Sequence, residues 1–350
     1  MKKLSKLLAT AGVALAMLFS AGASRAAGEL HLYNWSNYFS PDLIKKFEQE
    51  TGTRVTLDTY ASEEDLLAKL QAGASGYDVI FPGPTTLGTM IEKGLVAKID
   101  APKMSNFKNV LKPFQSLSVD PDRSYSVPYM WGTTGFTYDP AMVPGGKLDD
   151  SWKSIFEPPK ELRGEIAMLN EMSDVWNAGA YYVGVSKCTE NPADAQKILD
   201  VLMKQKPYVK VYSNDGTIDR MSAGEVAVHM QWNGAAHRTK KNKPGVVYVY
   251  PREGVTFWTD TMAIPSSAPN METAKQFLNW MLEPENAAAA SNYTGYSNAI
   301  SGSGKYLSDS LKSDPAVNMP EEYADRLKPF ESCSPKSKEL RERVWTKLKS

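Results

Sequence analysis

The chain has 350 residues, and its 40 lysines and arginines are balanced by 40 aspartates and glutamates, so it lacks the basic excess that a nucleic-acid backbone demands. Three histidines without an HExxH spacing and two isolated cysteines, Cys188 and Cys333, do not make a metal site, and no cofactor is expected. The length suffices for one large or two medium domains with proper cores.

Lys2, Lys3 and Lys6 precede an apolar run from Leu7 to about Phe19, and small residues continue through Ala27. This is a secretory signal pattern over residues 1–26, with cleavage expected after Ala23 or Ala26. The run is too short to span a bilayer comfortably, and no later stretch approaches about 20 uninterrupted apolar residues, so a soluble product outside the cytoplasm is expected. No cysteine follows the run closely, which argues against a lipid anchor. Losing Lys2, Lys3, Lys6 and Arg25 with the leader leaves 36 basic residues against 40 acidic, a formal charge of −4 that is compatible with cationic ligands. Export into an oxidising compartment predicts that Cys188 and Cys333 pair.

The first predicted strand is Leu30 to Asn34, and Ser40-Pro41-Asp42 opens a helix whose apolar face is Leu43, Ile44 and Phe47 and whose stop is Gly52. A strand from Arg54 to Tyr60 leads to a helix opening Ser62-Glu63-Glu64-Asp65. A third strand, Tyr77 to Pro82, turns at Gly83-Pro84 into a helix through about Leu95. Three strand–helix alternations predict an α/β lobe with a parallel sheet and ligands at the strands' carboxyl ends. Tyr125 to Tyr138 reads as a long β-like connector to a second α/β set. That set has a strand at Glu165 to Leu169, helices at Val175 to Val185 and Pro192 to Lys204, and strands at Val226 to Gln231 and Val246 to Tyr250. Thr256 to Pro265 leads back, followed by helices near Met271 to Leu282 and Pro284 to Asn292. Further helices are expected near Glu321 to Leu327 and Lys336 to Leu348. The basic run Arg238 to Lys243 reads as a solvated helix end. The prediction is two discontinuous lobes with two hinge crossings, residues 27–131 with 261–302 and residues 132–260 with 303–350, a geometry that closes on a ligand.

Alternation in a strand points Trp258 and Asp260 to one face, where a flat ring and a carboxylate suit an organic cation. The plainer alternative is a core tryptophan and a capping aspartate. Trp35 with Tyr38, Trp131, Trp232 and Tyr296 also lie where strands end, so they can converge on a cleft. Glu171 and Asp174 share a helical face if a helix starts there, or are simply acids favoured by a helix N-terminus. Glu331 is a further acidic candidate. Helix N-termini facing a cleft prefer anions, so a cation site needs enough carboxylate to outweigh them, whereas a zwitterion would use both. Gly184-Val185-Ser186-Lys187-Cys188 lacks the closing Gly of a nucleophile elbow, and Ser301-Gly302-Ser303-Gly304-Lys305 is not a phosphate loop. His229 reads as structural.

Several passages together carry a resemblance: Tyr33-Asn34-Trp35-Ser36-Asn37-Tyr38, Tyr77-Asp78-Val79-Ile80-Phe81-Pro82, Tyr125 to Gly132, Trp232-Asn233-Gly234, Phe257-Trp258-Thr259-Asp260 and Gly295-Tyr296. On them the chain resembles the periplasmic polyamine-binding proteins of bacterial spermidine/putrescine ABC importers, over nearly its whole mature length. The resemblance implies a type II periplasmic-binding fold, no catalysis, and a membrane permease with an ATPase as partner. It implies that Trp35, Tyr38, Trp232, Trp258 and Tyr296 wall the methylene chain of a polyamine. Ser36 would add a hydrogen bond and Asp260 would pair with an ammonium. Glu171 and Asp174 match the family's acidic pair, and Glu331 matches a polar residue near the C-terminus.

Three positions depart from that pattern. Gly83-Pro84-Thr85 stands where many relatives have Ser and then an aromatic, which leaves Thr85 as the wall residue. Asn37 occupies a position that can be acidic, and Ala235 and Ala236 stand where some members carry a carboxylate. The rival expectations are another small amino compound, such as an ω-amino acid or a quaternary amine, a secreted enzyme with a cysteine nucleophile, and a signalling ectodomain subunit.

Overall fold

Strand and helix alternate from the first described residues of the computed structural model, which describes residues 28–329 and 331–350. The signal-peptide reading lies outside these. β1 (Glu29–Trp35), α1 (Pro41–Thr51), β2 (Arg54–Tyr60), α2 (Glu63–Gln71), β3 (Val79–Ile80) and α3 (Pro84–Glu92) follow one another. The sequence marks where the helices start. The Ser40 hydroxyl accepts from the Leu43 N–H ahead of Pro41, and the Ser62 hydroxyl accepts from the Asp65 N–H, which satisfies donors that a helix end leaves free. Gly52 closes α1 at φ 71°, where glycine carries no Cβ penalty. β1 pairs in parallel with both β2 and β3, so the carboxyl ends of all three open on one edge.

β4 (Ser126–Tyr138) then leads to α4 (Lys153–Phe156), β5 (Ile166–Met168), α5 (Met172–Val183), α6 (Pro192–Gln205), β6 (Val209–Tyr212), α7 (Thr217–Ser222), β7 (Val228–Trp232), α8 (Asn233–Asn242) and β8 (Val247–Val249). β9 (Val255–Ala263) returns along β4. After it come α9 (Met271–Met281), α10 (Pro284–Thr294), β10 (Ser297–Asn298), α11 (Asp309–Ser313), β11 (Leu327–Lys328) and α12 (Pro335–Lys349).

The sheet order is β2-β1-β3-β9-β4-β7-β5-β6, and the sheet is continuous because β4 and β9 are long antiparallel partners that run through both lobes. The end of β9 joins the first lobe at Ala263 opposite Ile80, and the end of β4 joins the second at Thr134 to Tyr138 opposite Trp232 to Val228. Between Pro128 and Trp131 the register shifts, at a proline that has no N–H to give to the ladder. The tail passes between lobes again. Asn292 donates to the Tyr306 carbonyl in the first lobe, whereas Asp314 pairs with His237 of α8 in the second.

The architecture is the expected two-lobed α/β fold. Phe47, Phe81 and Phe277 centre the core on one face of the first lobe, and Tyr60, Leu66 and Met90 the other. Phe136, Trp152 and Ile198 centre the second lobe, where Leu340, Val344 and Leu348 of α12 join them. The partly buried Trp232 packs against cores of both lobes. Cys188 and Cys333 are disulfide-bonded, tying the loop after α5 to the segment before α12.

Some boundaries differ from the pattern. α3 stops at Glu92 rather than Leu95, because Gly94 takes φ 66° and turns the chain. α5 starts three residues earlier than expected. Glu321–Arg326 is a 3₁₀ turn rather than an α-helix, since β11 must begin at Leu327 to pair with β9. The basic run is not simply solvated: Lys240 pairs with Asp314, Lys243 pairs with Asp139, and Arg238 donates to the Asn37 carbonyl of the other lobe at 3.1 Å.

Candidate binding cleft

A cavity of about 880 Å³ opens between the lobes, where β1, β2, β3, β5 and β7 end. Every residue of the expected set except Trp131 borders it. Trp35 ends β1 and Ser36 and Tyr38 follow it, Thr85 lies in the first turn of α3, and Glu171 and Asp174 stand at the start of α5. Trp232 ends β7, Trp258 and Asp260 lie on β9, Tyr296 follows α10, and Glu331 lies in the tail. Glu331 sits at the rim, about half exposed, with Lys187 Nζ 3.7 Å away.

Trp131 does not join them. It stands opposite Thr259 in the β4–β9 ladder, and opposite residues share a face. Thr259 alternates with Trp258 and Asp260, so Trp131 points away from the cleft, stacks near Phe114 and Phe257, and donates to the Asn298 carbonyl.

The aromatic walls come from both lobes. Trp35 and Trp232 meet edge to face at 6.1 Å between ring centroids. Tyr296 lies 5.3 Å from Trp258 and 5.4 Å from Tyr38, also edge-on. Two glycines make room for these rings. A Cβ on Gly132 would sit 2.7 Å from Cζ2 of Trp258, and one on Gly234 would sit 2.5 Å from Cε1 of Tyr296.

Carboxylates fill the floor. Tyr38 donates to Asp260 Oδ2 at 2.8 Å. Trp232 Nε1 donates to Asp174 Oδ2 and the Thr134 hydroxyl to Oδ1, both at 2.8 Å. Glu171 is 4 % exposed, and its Oε2 has no hydrogen-bond partner among the described residues. Burial, joined by neighbouring acids, pushes Asp260 and Glu171 well above the usual carboxylate range. Burial lifts Asp174 to about 6, against the pull of its hydrogen bonds from Trp232 and Thr134. The charges bearing on Asp260 are themselves carboxylates, Glu63 and Asp174. Buried acids that raise one another's proton affinity form a site that gains by receiving positive charge.

Helix N-termini do face this cleft, and one of the protein's own acids occupies the start of α3. Glu63 accepts from the Gly83 N–H at the start of α3, at 2.7 Å, and Glu171 stands at the N-terminus of α5. The Glu63 carboxylate thereby occupies the start of α3, whereas Glu171 makes no capping hydrogen bond to α5. Further basic groups border the cleft near α12, namely Lys187, Lys338 and the buried Arg341.

Residue patterns alone did not single out Glu63, Glu64, Arg238 or Arg341. Glu63 had a usable signal, since it follows the carboxyl end of β2 on the same sheet edge as Trp35. Read only as one of three acids opening a helix, it looked like a dipole residue. His229 is buried, with Nδ1 on the Met230 carbonyl and Nε2 facing Arg220, a structural histidine.

Residues 42–320 match the model of the family described as bacterial extracellular solute-binding protein. The chain is 34% identical to the putrescine-binding periplasmic protein SpuD of Pseudomonas aeruginosa over 347 residues, 94% of this chain and 95% of that protein. It is 32% identical to the spermidine/putrescine-binding periplasmic protein of Escherichia coli over 320 residues, covering 90% of this chain and 89% of that one. Among solved structures, the spermidine/putrescine ABC transporter substrate-binding protein PotD of Streptococcus pneumoniae superimposes with a TM-score of 0.75 at 28% identity, over 92% of this chain and 99% of that one.

Proposed function

The chain belongs to the bacterial extracellular solute-binding proteins, and from that premise we propose that it captures a polyamine of the putrescine and spermidine class between its two lobes. It does so in the periplasm after its leader is removed, as a monomer, and delivers the amine to an ABC permease and ATPase of the inner membrane. The reading assigns no catalysis, and the disulfide leaves neither Cys188 nor Cys333 as a thiol nucleophile.

The observation that carries this reading is the pairing of a ring-lined slot with the acids Asp260, Asp174 and Glu171, none of which forms a direct ion pair among the described residues. Trp35, Tyr38, Trp232, Trp258 and Tyr296 bracket the methylene chain, Ser36 and Thr85 supply polar contacts, and Asp260, Glu171 and Asp174 supply charge. Micromolar affinity requires about −8 kcal/mol. Cation–π contacts of about 0.5 to 2 kcal/mol each, with desolvated ion pairs, reach that range. Isothermal calorimetry with putrescine, spermidine and spermine is the test, and no heat from any of the three would end this version.

The basic groups near α12 favour one second reading, an ω-amino acid whose carboxylate faces Arg341 and Lys338. A competition panel of diamines against ω-amino acids separates the two.

A further inference from the structure

Glu63 is accounted for neither by the aromatic wall nor by the acidic pair on α5. It opens α2 and reaches across to the start of α3, where Oε1 accepts from the Gly83 N–H. That half of the group is an ordinary helix cap. The other half is not. Oε2 is buried and has no hydrogen-bond partner among the described residues, a costly state for a carboxylate oxygen.

The same condition recurs across the cleft on Glu171, which is more than nine-tenths buried and whose Oε2 is likewise without a partner. On its other side Glu63 adjoins Asp260. A Cβ on Gly83 would lie 3.2 Å from Glu63 Oε1 and 3.4 Å from Asp260 Oδ1, so the two carboxylates flank one backbone position that only glycine leaves open. Glu63 thus stands between an acid of β9 and an acid of α5, and both respond to it. After burial, Glu63 is the leading charge that raises Asp260, and with Glu64 it raises Glu171. Burial in turn pushes Glu63 up to about 7.

Resting on the polyamine reading above, we propose that Glu63 is a specificity-determining residue. Its Oε2, with Oε2 of Glu171, receives an ammonium group beyond the one paired with Asp260, so that the cleft selects amines with three or more nitrogens over diamines. A diamine brings two charges to the row formed by Asp260, Glu63 and Glu171, and Glu63 then keeps its proton. A triamine supplies the third charge, and the proton leaves to buffer.

The test is calorimetry at pH 7 on the full mature protein and on Glu63→Gln, which keeps an oxygen to accept from Gly83 and so preserves the cap. Unmodified protein is expected to bind spermidine at least tenfold more tightly than putrescine. In Glu63→Gln the spermidine affinity is expected to fall tenfold or more and the putrescine affinity far less, so that the preference collapses. Titrations of the unmodified protein in two buffers of different ionisation enthalpy, which need no variant, should show more protons released by spermidine than by putrescine. If both amines bind but Glu63→Gln leaves their ratio unchanged, or proton release is equal, Glu63 is only the α3 cap and the assignment falls alone. If unmodified protein binds neither amine, the polyamine reading falls with it.

Discussion

The indole of Trp232 donates to Asp174 Oδ2 at 2.8 Å while the hydroxyl of Thr134 donates to the other oxygen at the same distance. One wall of the cleft is therefore fixed by an acid whose two oxygens are both engaged. In the proposed site Asp174 would act on a ligand first through the ring it orients and second through its charge.

Asparagine at 174 offers one acceptor for two donors, so Trp232 or Thr134 loses its partner, a change of about 1 to 3 kcal/mol at a buried site. Asp174→Asn is expected to weaken spermidine and putrescine alike, by roughly fivefold to a hundredfold. Asp260→Asn, which removes a charge facing the ligand, is expected to cost at least tenfold. Calorimetry on both variants checks this, and unchanged affinity in Asp260→Asn would remove that residue from the site.

Amine affinity is expected to rise at least tenfold from pH 5 to pH 8. Alkylamines stay protonated across that range, whereas Glu63 near 7 and Asp174 near 6 are losing protons, and burial raises Asp260 and Glu171 as well. Each of these carboxyls has a folded-state value above its unfolded one. The folded chain thus holds protons that the unfolded chain has released, and the stability they contribute is lost as pH rises through the folded values. Ligand-free protein should melt at a lower temperature at pH 8 than at pH 5.5, and saturating amine at pH 8 should reverse the loss. Affinity that falls with pH would contradict the acidic floor.

Gly132→Ala is expected to displace the Trp258 indole, because the added methyl lies inside its contact distance. Overpacking of this kind costs about 1 to 3 kcal/mol. The expected outcome is a tenfold or greater loss of amine affinity with a shift in tryptophan emission. Emission and affinity both unchanged would show that the ring can slide along the strand without consequence.

Replacing Cys188 and Cys333 together by serine is expected to lower stability by about 2 to 4 kcal/mol in urea denaturation, since the bond closes a loop of 145 residues. A change under about 0.5 kcal/mol would show that α12 holds the tail unaided, through Leu340, Val344 and Leu348 against α6.

Much of this was legible in the chain because strong local signals coincide with tertiary roles. Ser40, Ser62 and Gly52 do in three dimensions what their types predict, and period-two alternation put Trp258 and Asp260 on one face. The strand-end reading failed at Trp131, because β4 runs on to Tyr138 and Trp131 stands inside it, opposite Thr259, on the face turned from the cleft. Glu63 was missed for a related reason. An acid at a helix start satisfies local chemistry so well that nothing in one dimension separates a cap from a carboxylate that also faces a ligand.

The paired strands β4 and β9 bear on how such a protein would speak to a membrane complex. Since they thread both lobes as one ladder, with a register shift at Pro128, closure of the lobes on the proposed amine would alter an angle and leave the outer skin of each half chemically unchanged. A docking transporter gripping one patch on each half would then sense posture rather than cargo. Cargo preference could drift by single substitutions inside, at Glu63 or Asn37, without renegotiating the dock.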